Sequence, residues 1–163
     1  MTTCSRREAS HRPRIGASDA VVLGDLGCAA WRVLSQSQMA TRVFLLEDDD
    51  DLRESMSELL ARGAGAECVG LRSVEDLREQ EAEVLRTDLA VLDINLGPGQ
   101  PSGIDAYHWL KEQRYRGRIV FMTGHATRHP LVEAARQLHG AVVLAKPVSF
   151  QRLIALARGE EAA

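Results

Sequence analysis

Residues 42–60 read RVFLLEDDDDLRESMSELL, and this stretch decides the fold class. The run RVFLL (42–46) is continuously apolar after its arginine, which is typical of a strand buried on both faces of a parallel sheet. After the acidic run, apolar side chains recur at helical spacing, at Leu52, Met56, Leu59 and Leu60. A buried strand followed by an amphipathic helix is the βα unit of a parallel sheet.

The same alternation repeats four times towards the C-terminus. Apolar runs predict further strands at 66–70, 89–92, 118–122 and 141–144. Helical stripes predict a second helix from Ser73 to Leu85, a third after Ser102-Gly103, a fourth after Pro130 and a fifth from Phe150. Five βα units predict an α/β fold, a doubly wound (βα)5 parallel sheet.

The repeating pattern bounds the domain organisation. We expect a domain over 39–158, since Met39 directly precedes the first strand, and a short C-terminal tail at 159–163. Residues 1–38 carry five arginines against three acids and contain Gly24 and Gly27, which would destabilise a helix there. We interpret 1–38 as an N-terminal tail or a mis-assigned start, disordered or weakly helical, that the domain does not need for folding.

Composition excludes several classes of protein. The net charge of −3 argues against nucleic acid as a partner, and no apolar run approaches the ~20 residues of a membrane span. The three cysteines, Cys4, Cys28 and Cys68, form no metal-binding or disulfide pattern. We expect a cytoplasmic protein with reduced thiols, no membrane partner, and a monomeric or weakly dimeric state.

Polar residues follow the predicted strands where ligands bind in a doubly wound sheet. Glu47 and Asp48 follow the first strand, Asp93 the third, and Thr123 and Lys146 the fourth and fifth. If the first and third strands are neighbours, three carboxylates converge, and like charges that close cannot all ionise unaided. A divalent cation resolves the conflict, and oxygen ligands favour Mg²⁺.

These side chains then form a set suited to phosphoryl transfer. Lys146 and the metal would neutralise a phosphoryl group, Thr123 could donate a hydrogen bond to it, and Asp93 would be the nucleophile. Each residue alone has a simpler explanation: a helix N-terminus for the acidic run, a strand-end threonine, a surface lysine. The combination favours the site.

The motifs LLEDDDDLRESM, AVLDINL, SGID, FMTGHA and LAKP, in this order and spacing, resemble the response-regulator receiver family of two-component signalling. The resemblance covers about 41–157. It implies the flavodoxin-like strand order 2-1-3-4-5, with Glu47 and Asp48 organising Mg²⁺ and Asp93 phosphorylated from a histidine phosphate. It further implies that the main-chain carbonyl of Asn95 completes the metal shell.

The resemblance also implies how the phosphoryl group is held and sensed. Thr123 and Lys146 match the family's phosphoryl-binding hydroxyl and lysine, and the bond from Lys146 to Pro147 is expected to be cis. Asn95, His125 and Val143 occupy positions that tune or transmit the switch. At the Val143 position the family usually has an aromatic residue, and the loop from Asp93 to Gly103 is longer than the usual pattern. The longer loop reshapes a region near the site without removing any site residue.

Several other functions compete with this interpretation. A haloacid-dehalogenase-like aspartyl phosphatase would need a second acid where Asn95 stands, and a flavodoxin-like binding module would need a phosphate loop where EDDDD stands. His125 and His129 could be metal ligands, but a loop residue and a helix-start residue explain them more simply. No DNA-binding domain follows the fifth helix, and 1–38 carry no recognisable DNA-binding motif.

We therefore expect a stand-alone, single-domain response regulator, not an enzyme, that assists its own phosphorylation and dephosphorylation without turning over a separate substrate. Its partners would be a sensor histidine kinase or a histidine phosphotransfer protein, and a downstream protein target whose identity the sequence leaves open. A phosphate shuttle or sink in a phosphorelay stays open as the alternative.

Overall fold

A computed structural model describes residues 40–125 and 128–160 of the chain. Five strands form one sheet: β1 (Arg42–Leu46), β2 (Glu67–Leu71), β3 (Leu89–Asp93), β4 (Arg118–Thr123) and β5 (Ala141–Ala145). The expectations for residues 1–38, for 126–127 within the loop after β4 and for 161–163 lie outside the described residues.

Six helices lie in the described part of the chain: α1 (Asp50–Ala64), α2 (Val74–Glu79), α3 (Glu81–Val84), α4 (Gly103–Glu112), α5 (Pro130–Gln137) and α6 (Phe150–Ala157). None of these described helices combines the length and the apolar character that a membrane span requires.

All five strands are parallel, in the order β2-β1-β3-β4-β5, which confirms the predicted fold class and strand order. The strand order reverses between β1 and β3, because β2 lies on one side of β1 and the later strands lie on the other. The carboxyl ends of β1 and β3 meet at this point, where open α/β sheets bind their ligands.

Successive side chains of a strand point to opposite faces of the sheet, so the sheet has two apolar cores. Phe44 and Leu46 of β1 pack into one core together with side chains of α2, α4 and α5. Val43 and Leu45 pack into the other, together with side chains of α1 and α6. The central strands are thereby buried on both faces, as their continuous apolar runs predict.

The same expectation is wrong for the edge strands. β2 and β5 are only partly buried, and Val142 of β5 is 38% exposed. An edge strand has one neighbour instead of two, so apolar composition alone does not distinguish it from a central strand.

Two expectations about helices also need correction. The single helix predicted from Ser73 to Leu85 is two short helices, α2 and α3, that meet at Gln80, whose backbone leaves helical geometry at φ −101° and ψ 25°. Ser73 caps α2 by accepting a hydrogen bond from the Asp76 amide. The fifth predicted helix begins at Phe150 as expected, but that ring is largely exposed.

Gly103 lets helix α4 begin against the end of β3. A Cβ atom at this position would lie 2.2 Å from the main-chain oxygen of Asp93, far inside van der Waals contact with backbone that cannot move freely. The Gly103 amide donates a hydrogen bond to the Ile94 carbonyl at 3.2 Å. The close approach of α4 therefore helps to fix the backbone of Asp93.

We expect Gly103→Ala to lower the free energy of unfolding by about 1–3 kcal/mol, because the added methyl group must displace the backbone of Asp93. Gly124→Ala is the matched control, since a Cβ there meets no heavy atom within 4 Å. Urea denaturation of both variants measures the difference. Equal stability of the two variants would contradict the close packing of α4 on β3.

Candidate functional site

Three carboxylates lie together where the strand order reverses. Glu47 follows β1, Asp93 is the last residue of β3, and both are buried, whereas Asp48 is exposed. Each offers one oxygen atom within 4.8 Å of the others. Because β1 and β3 are paired directly, the structure confirms that these three acids converge.

Lys146 reaches this cluster from the far side of the sheet. It follows β5, the edge strand, yet its Nζ atom donates hydrogen bonds of 2.7 Å to Oε2 of Glu47 and 2.7 Å to Oδ2 of Asp93. Its backbone amide donates to the Thr123 carbonyl at 2.7 Å, and the bond to Pro147 is cis, as predicted. A solvated surface lysine is therefore the wrong interpretation of this residue.

Burial and charge set the ionisation of the cluster. Burial raises the pKa of Glu47, and the charges of Asp93 and Asp48 raise it further, although the hydrogen bond from Lys146 partly opposes this. Burial alone would lower the pKa of Lys146, but its hydrogen bonds to Asp93 and Glu47 outweigh that effect and raise it. Glu47 and Lys146 therefore each stabilise the charged form of the other.

One ammonium faces three carboxylates, so the cluster carries an excess of negative charge. The atoms available to bind a metal ion are carboxylate oxygens, the ligand type that Mg²⁺ prefers. Because Asp48 is exposed, one side of the cluster is open to water. The donor set contains no sulfur or imidazole that would favour zinc. These residues fit a hydrated Mg²⁺ ion.

The second oxygen of Asp93 contacts the loop that follows β3. The Asn95 amide donates to Oδ1 of Asp93 at 3.3 Å, a long and therefore weak hydrogen bond. Oδ1 is thus less firmly held than Oδ2, which Lys146 binds at 2.7 Å. The metal-binding role of the Asn95 carbonyl stays a prediction.

Thr123 ends β4, beside the end of β3, and is buried. Its hydroxyl oxygen accepts a 3.0 Å hydrogen bond from the His125 amide, and among residues 40–125 and 128–160 no acceptor takes the hydroxyl hydrogen. The His125 ring stacks on that of His129, with ring centroids 4.1 Å apart. His129 caps α5 by accepting from the Leu131 amide through Nδ1, which confirms its helix-start role.

A comparison with protein families agrees with this geometry. The model of the response regulator receiver domain matches residues 43–158, most of the chain. The chain belongs to this family. Receiver domains function in two-component signalling, where they interact with histidine kinases or phosphotransfer proteins, and they typically bind Mg²⁺ in an acidic pocket.

Solved structures share the receiver fold at low sequence identity. A response regulator receiver domain protein from Clostridium thermocellum is 24% identical, with a TM-score of 0.60 over 73% of this chain and 94% of that one. A response regulator receiver protein from Sinorhizobium medicae is also 24% identical, with a TM-score of 0.61 over 76% and 94%. No curated protein matches the sequence.

Val143 stands where the family usually has an aromatic residue. It lies in β5 and is half-buried against the core beside α5. Val132 of α5 is fully buried in the same core. Val132 is therefore not accessible to a partner protein in this conformation. Leu131 is half-buried and Arg128 is exposed.

The long loop between β3 and α4 passes beside the acidic cluster. A Cβ atom at Gly97, where φ is 101°, would lie 3.7 Å from Oδ2 of Asp48. Leu96 and Gln100 of this loop line a cleft of about 320 Å³ together with Asp48, Arg72, Ser73 and Asp76. The longer loop therefore forms a wall beside the exposed acid.

Sequence reasoning missed one contact of the site. Nη1 of Arg53, in the first turns of α1, donates a 2.7 Å hydrogen bond to the main-chain carbonyl of Glu47. The sequence signal that could have indicated this contact is an arginine six residues after Glu47, in the first turn of α1. Such an arginine more often serves as an exposed helix residue, so the sequence alone gives it no role.

We expect Lys146→Met to destabilise the domain more at pH 8 than at pH 5. At pH 8 the variant leaves the buried side chains of Glu47 and Asp93 without their cation, a loss of about 1–3 kcal/mol. At pH 5 the cost falls, because the pKa of Glu47 is raised in the folded state and the folded chain binds a proton there more readily than the unfolded chain. Urea denaturation in EDTA at both pH values measures this.

Lys111→Met is the control for this experiment. Lys111 is exposed and lies 5.1 Å from the centre of the Tyr107 ring, away from the carboxylates. We expect a change of about 0.5 kcal/mol that is equal at both pH values. A loss for Lys146→Met that does not grow with pH would contradict the charge coupling of the cluster.

Proposed function

We propose that this chain is a response regulator that accepts a phosphoryl group on Asp93 from a histidine phosphate, in a Mg²⁺-dependent reaction, and signals by a change of conformation. The observation that carries the proposal is the double hydrogen bond of Lys146 to Asp93 and Glu47, beside the exposed Asp48. A cation in contact with Asp93 would neutralise a phosphoryl group that arrives there, which supports the assignment of Asp93 as the nucleophile.

Asp93 is suited to be the nucleophile. Attack of a carboxylate oxygen on phosphorus forms an O–P bond while the P–N bond to the donor imidazole breaks, and the electron pair stays on the imidazole nitrogen. The loosely held Oδ1 can attack with little loss of hydrogen bonding, whereas Oδ2 stays on Lys146. Asp48 is exposed and makes no contact with Lys146 that would orient it in the same way.

Lys146 and Thr123 would stabilise the group once it has arrived. An ammonium group has three hydrogens, and Nζ of Lys146 uses two of them on Glu47 and Asp93, which leaves one for a phosphoryl oxygen. The Thr123 hydroxyl hydrogen is available to a second oxygen. A bound Mg²⁺ ion held by Glu47, Asp48, Asp93 and the Asn95 carbonyl would supply charge neutralisation of the phosphoryl oxygens.

The donor would be a sensor histidine kinase or a histidine phosphotransfer protein in the cytoplasm. We propose that the chain turns over no separate substrate, that a downstream protein reads the phosphorylated state, and that neither nucleic acid nor a membrane takes part. A shuttle or sink in a phosphorelay is the second candidate. A time course of phosphotransfer against purified kinases and phosphotransfer proteins separates the two, because a shuttle returns the group to a histidine.

Incubation with acetyl phosphate and Mg²⁺ should add one phosphoryl group to the chain, and Asp93→Asn should abolish the addition. Asp51→Asn is the control, because Asp51 is an exposed acid in the first turn of α1 and should leave the rate unchanged. Intact-mass spectrometry with peptide mapping measures both. Labelling of Asp48 in the unmodified chain would contradict the assignment.

Val143 limits how the signal can leave the site. A β-branched side chain has one strongly preferred rotamer in many settings. Valine therefore cannot swing between solvent and core as an aromatic side chain at this position could. We propose that the signal travels instead through Thr123, the loop from Gly124 to His129, and the start of α5. The hydrogen bond from the His125 amide to Thr123 and the stacking of His125 on His129 support this route.

Binding of beryllofluoride, a mimic of the phosphoryl group, should therefore shift the backbone amide resonances of Gly124, His125 and the first turn of α5 more than those of β5. NMR spectra with and without the mimic measure these shifts. The β2 amides serve as the internal control, because that edge strand lies on the opposite side of β1. Large shifts confined to 141–145 would contradict the route.

A further inference from the structure

One peptide bond joins Glu47 to Asp48, the two acids that follow β1. The direction of its carbonyl fixes the turn between them, and hence the directions in which both side chains leave the backbone. Nη1 of Arg53 donates to this carbonyl at 2.7 Å, and the Arg53 amide donates to the Asp49 carbonyl at 2.9 Å. Arg53 thus holds the acidic turn from one side.

The guanidinium of Arg53 is itself held in place. Nη2 donates to the carboxylate of Asp50, and the same Asp50 oxygen lies 3.4 Å from Nε of Arg72. The Arg53 side chain is only 15% exposed, which is unusual for an arginine in the first turns of a helix.

The neighbouring edge strand leaves room for the Arg53 stem. A Cβ atom at Gly70 of β2 would lie 3.1 Å from Cδ and 3.3 Å from both Cγ and Nε of Arg53. Glycine in a strand is otherwise unfavourable, so its presence here fits a close approach of another chemical group. The stem of Arg53 crosses β2 at the place where a side chain would stand.

We propose that Arg53 is a positioning residue for the metal site. Through the carbonyl of Glu47 it fixes the Glu47–Asp48 peptide so that both carboxylates converge on Asp93, and Gly70 provides the space that this requires. The inference rests on the proposed function, because it assumes that the three acids bind Mg²⁺.

Charge and geometry make opposite predictions for Arg53, which allows a sharp test. Arg53 is a cation beside a site for another cation, so its removal should strengthen Mg²⁺ binding if charge alone matters. If Arg53 acts by positioning, its removal should weaken Mg²⁺ binding, because the carboxylates must be ordered when the ion binds.

The experiment measures the Mg²⁺ dissociation constant of the full-length chain by isothermal titration calorimetry, without a phosphodonor. Arg53→Gln should raise the constant about three- to tenfold, the range expected for loss of one hydrogen bond. Arg72→Gln is the matched control: it removes a charge from the same network without touching the Glu47 carbonyl, and should leave the constant equal or lower. Gly70→Val, which changes no charge and suits a strand, should raise it by crowding the Arg53 stem.

Two further readouts separate positioning from general stability. The rate of phosphorylation by acetyl phosphate should fall in Arg53→Gln at limiting Mg²⁺ and recover at saturating Mg²⁺, which a misfolded variant would not do. Gly70→Val should keep the urea midpoint of the wild-type chain. If the wild-type chain binds Mg²⁺ and Arg53→Gln binds it equally well or better, this inference is overturned alone. If the wild-type chain binds no Mg²⁺, the proposed function is overturned and this inference with it.

Discussion

The structure depends on the excess of negative charge between β1 and β3. Three carboxylates lie within 4.8 Å of one another and share one lysine, in a place where burial makes isolated charge costly. Their repulsion favours protonation, metal binding or contact with Lys146, and each of these outcomes changes the local balance of charge. The site that we propose for a cation and a phosphoryl group rests on that instability rather than on any one residue.

The parallel fold is what assembles this cluster. Parallel strands bring their carboxyl ends to one edge, the reversal of strand order opens space there, and Gly103 lets α4 pack against the backbone of Asp93. The helix after β1 adds its positive end beside the acidic run, with Asp49 as the capping residue. The acidic run therefore has two functions: Glu47 and Asp48 belong to the carboxylate cluster, whereas Asp49, Asp50 and Asp51 lie at the start of the helix. A simple helix-start interpretation describes only the second group correctly.

The strand pattern and strand-end residues were readable from the sequence because both follow from local periodicity. The convergence of Glu47, Asp48, Asp93 and Lys146 needed only the strand order in addition. The exposure of Val142, the helix break at Gln80 and the burial of Val132 were not readable, because they depend on which elements have neighbours and on how helices rotate against the sheet. Arg53 was missed for a different reason: its partner is a main-chain carbonyl, which leaves no trace in the residue types.

The exposure of Asp48, compared with the burial of Glu47, Asp93 and Thr123, makes the site asymmetric towards solvent. An acyl phosphate at Asp93 would be shielded by the core on one flank and would meet water on the flank that Asp48 and the Gly97 loop share. The chemical lifetime of that bond then becomes a property of the length and composition of a surface loop. Receiver domains with the same buried residues but different loops would then differ in the lifetime of their acyl phosphate.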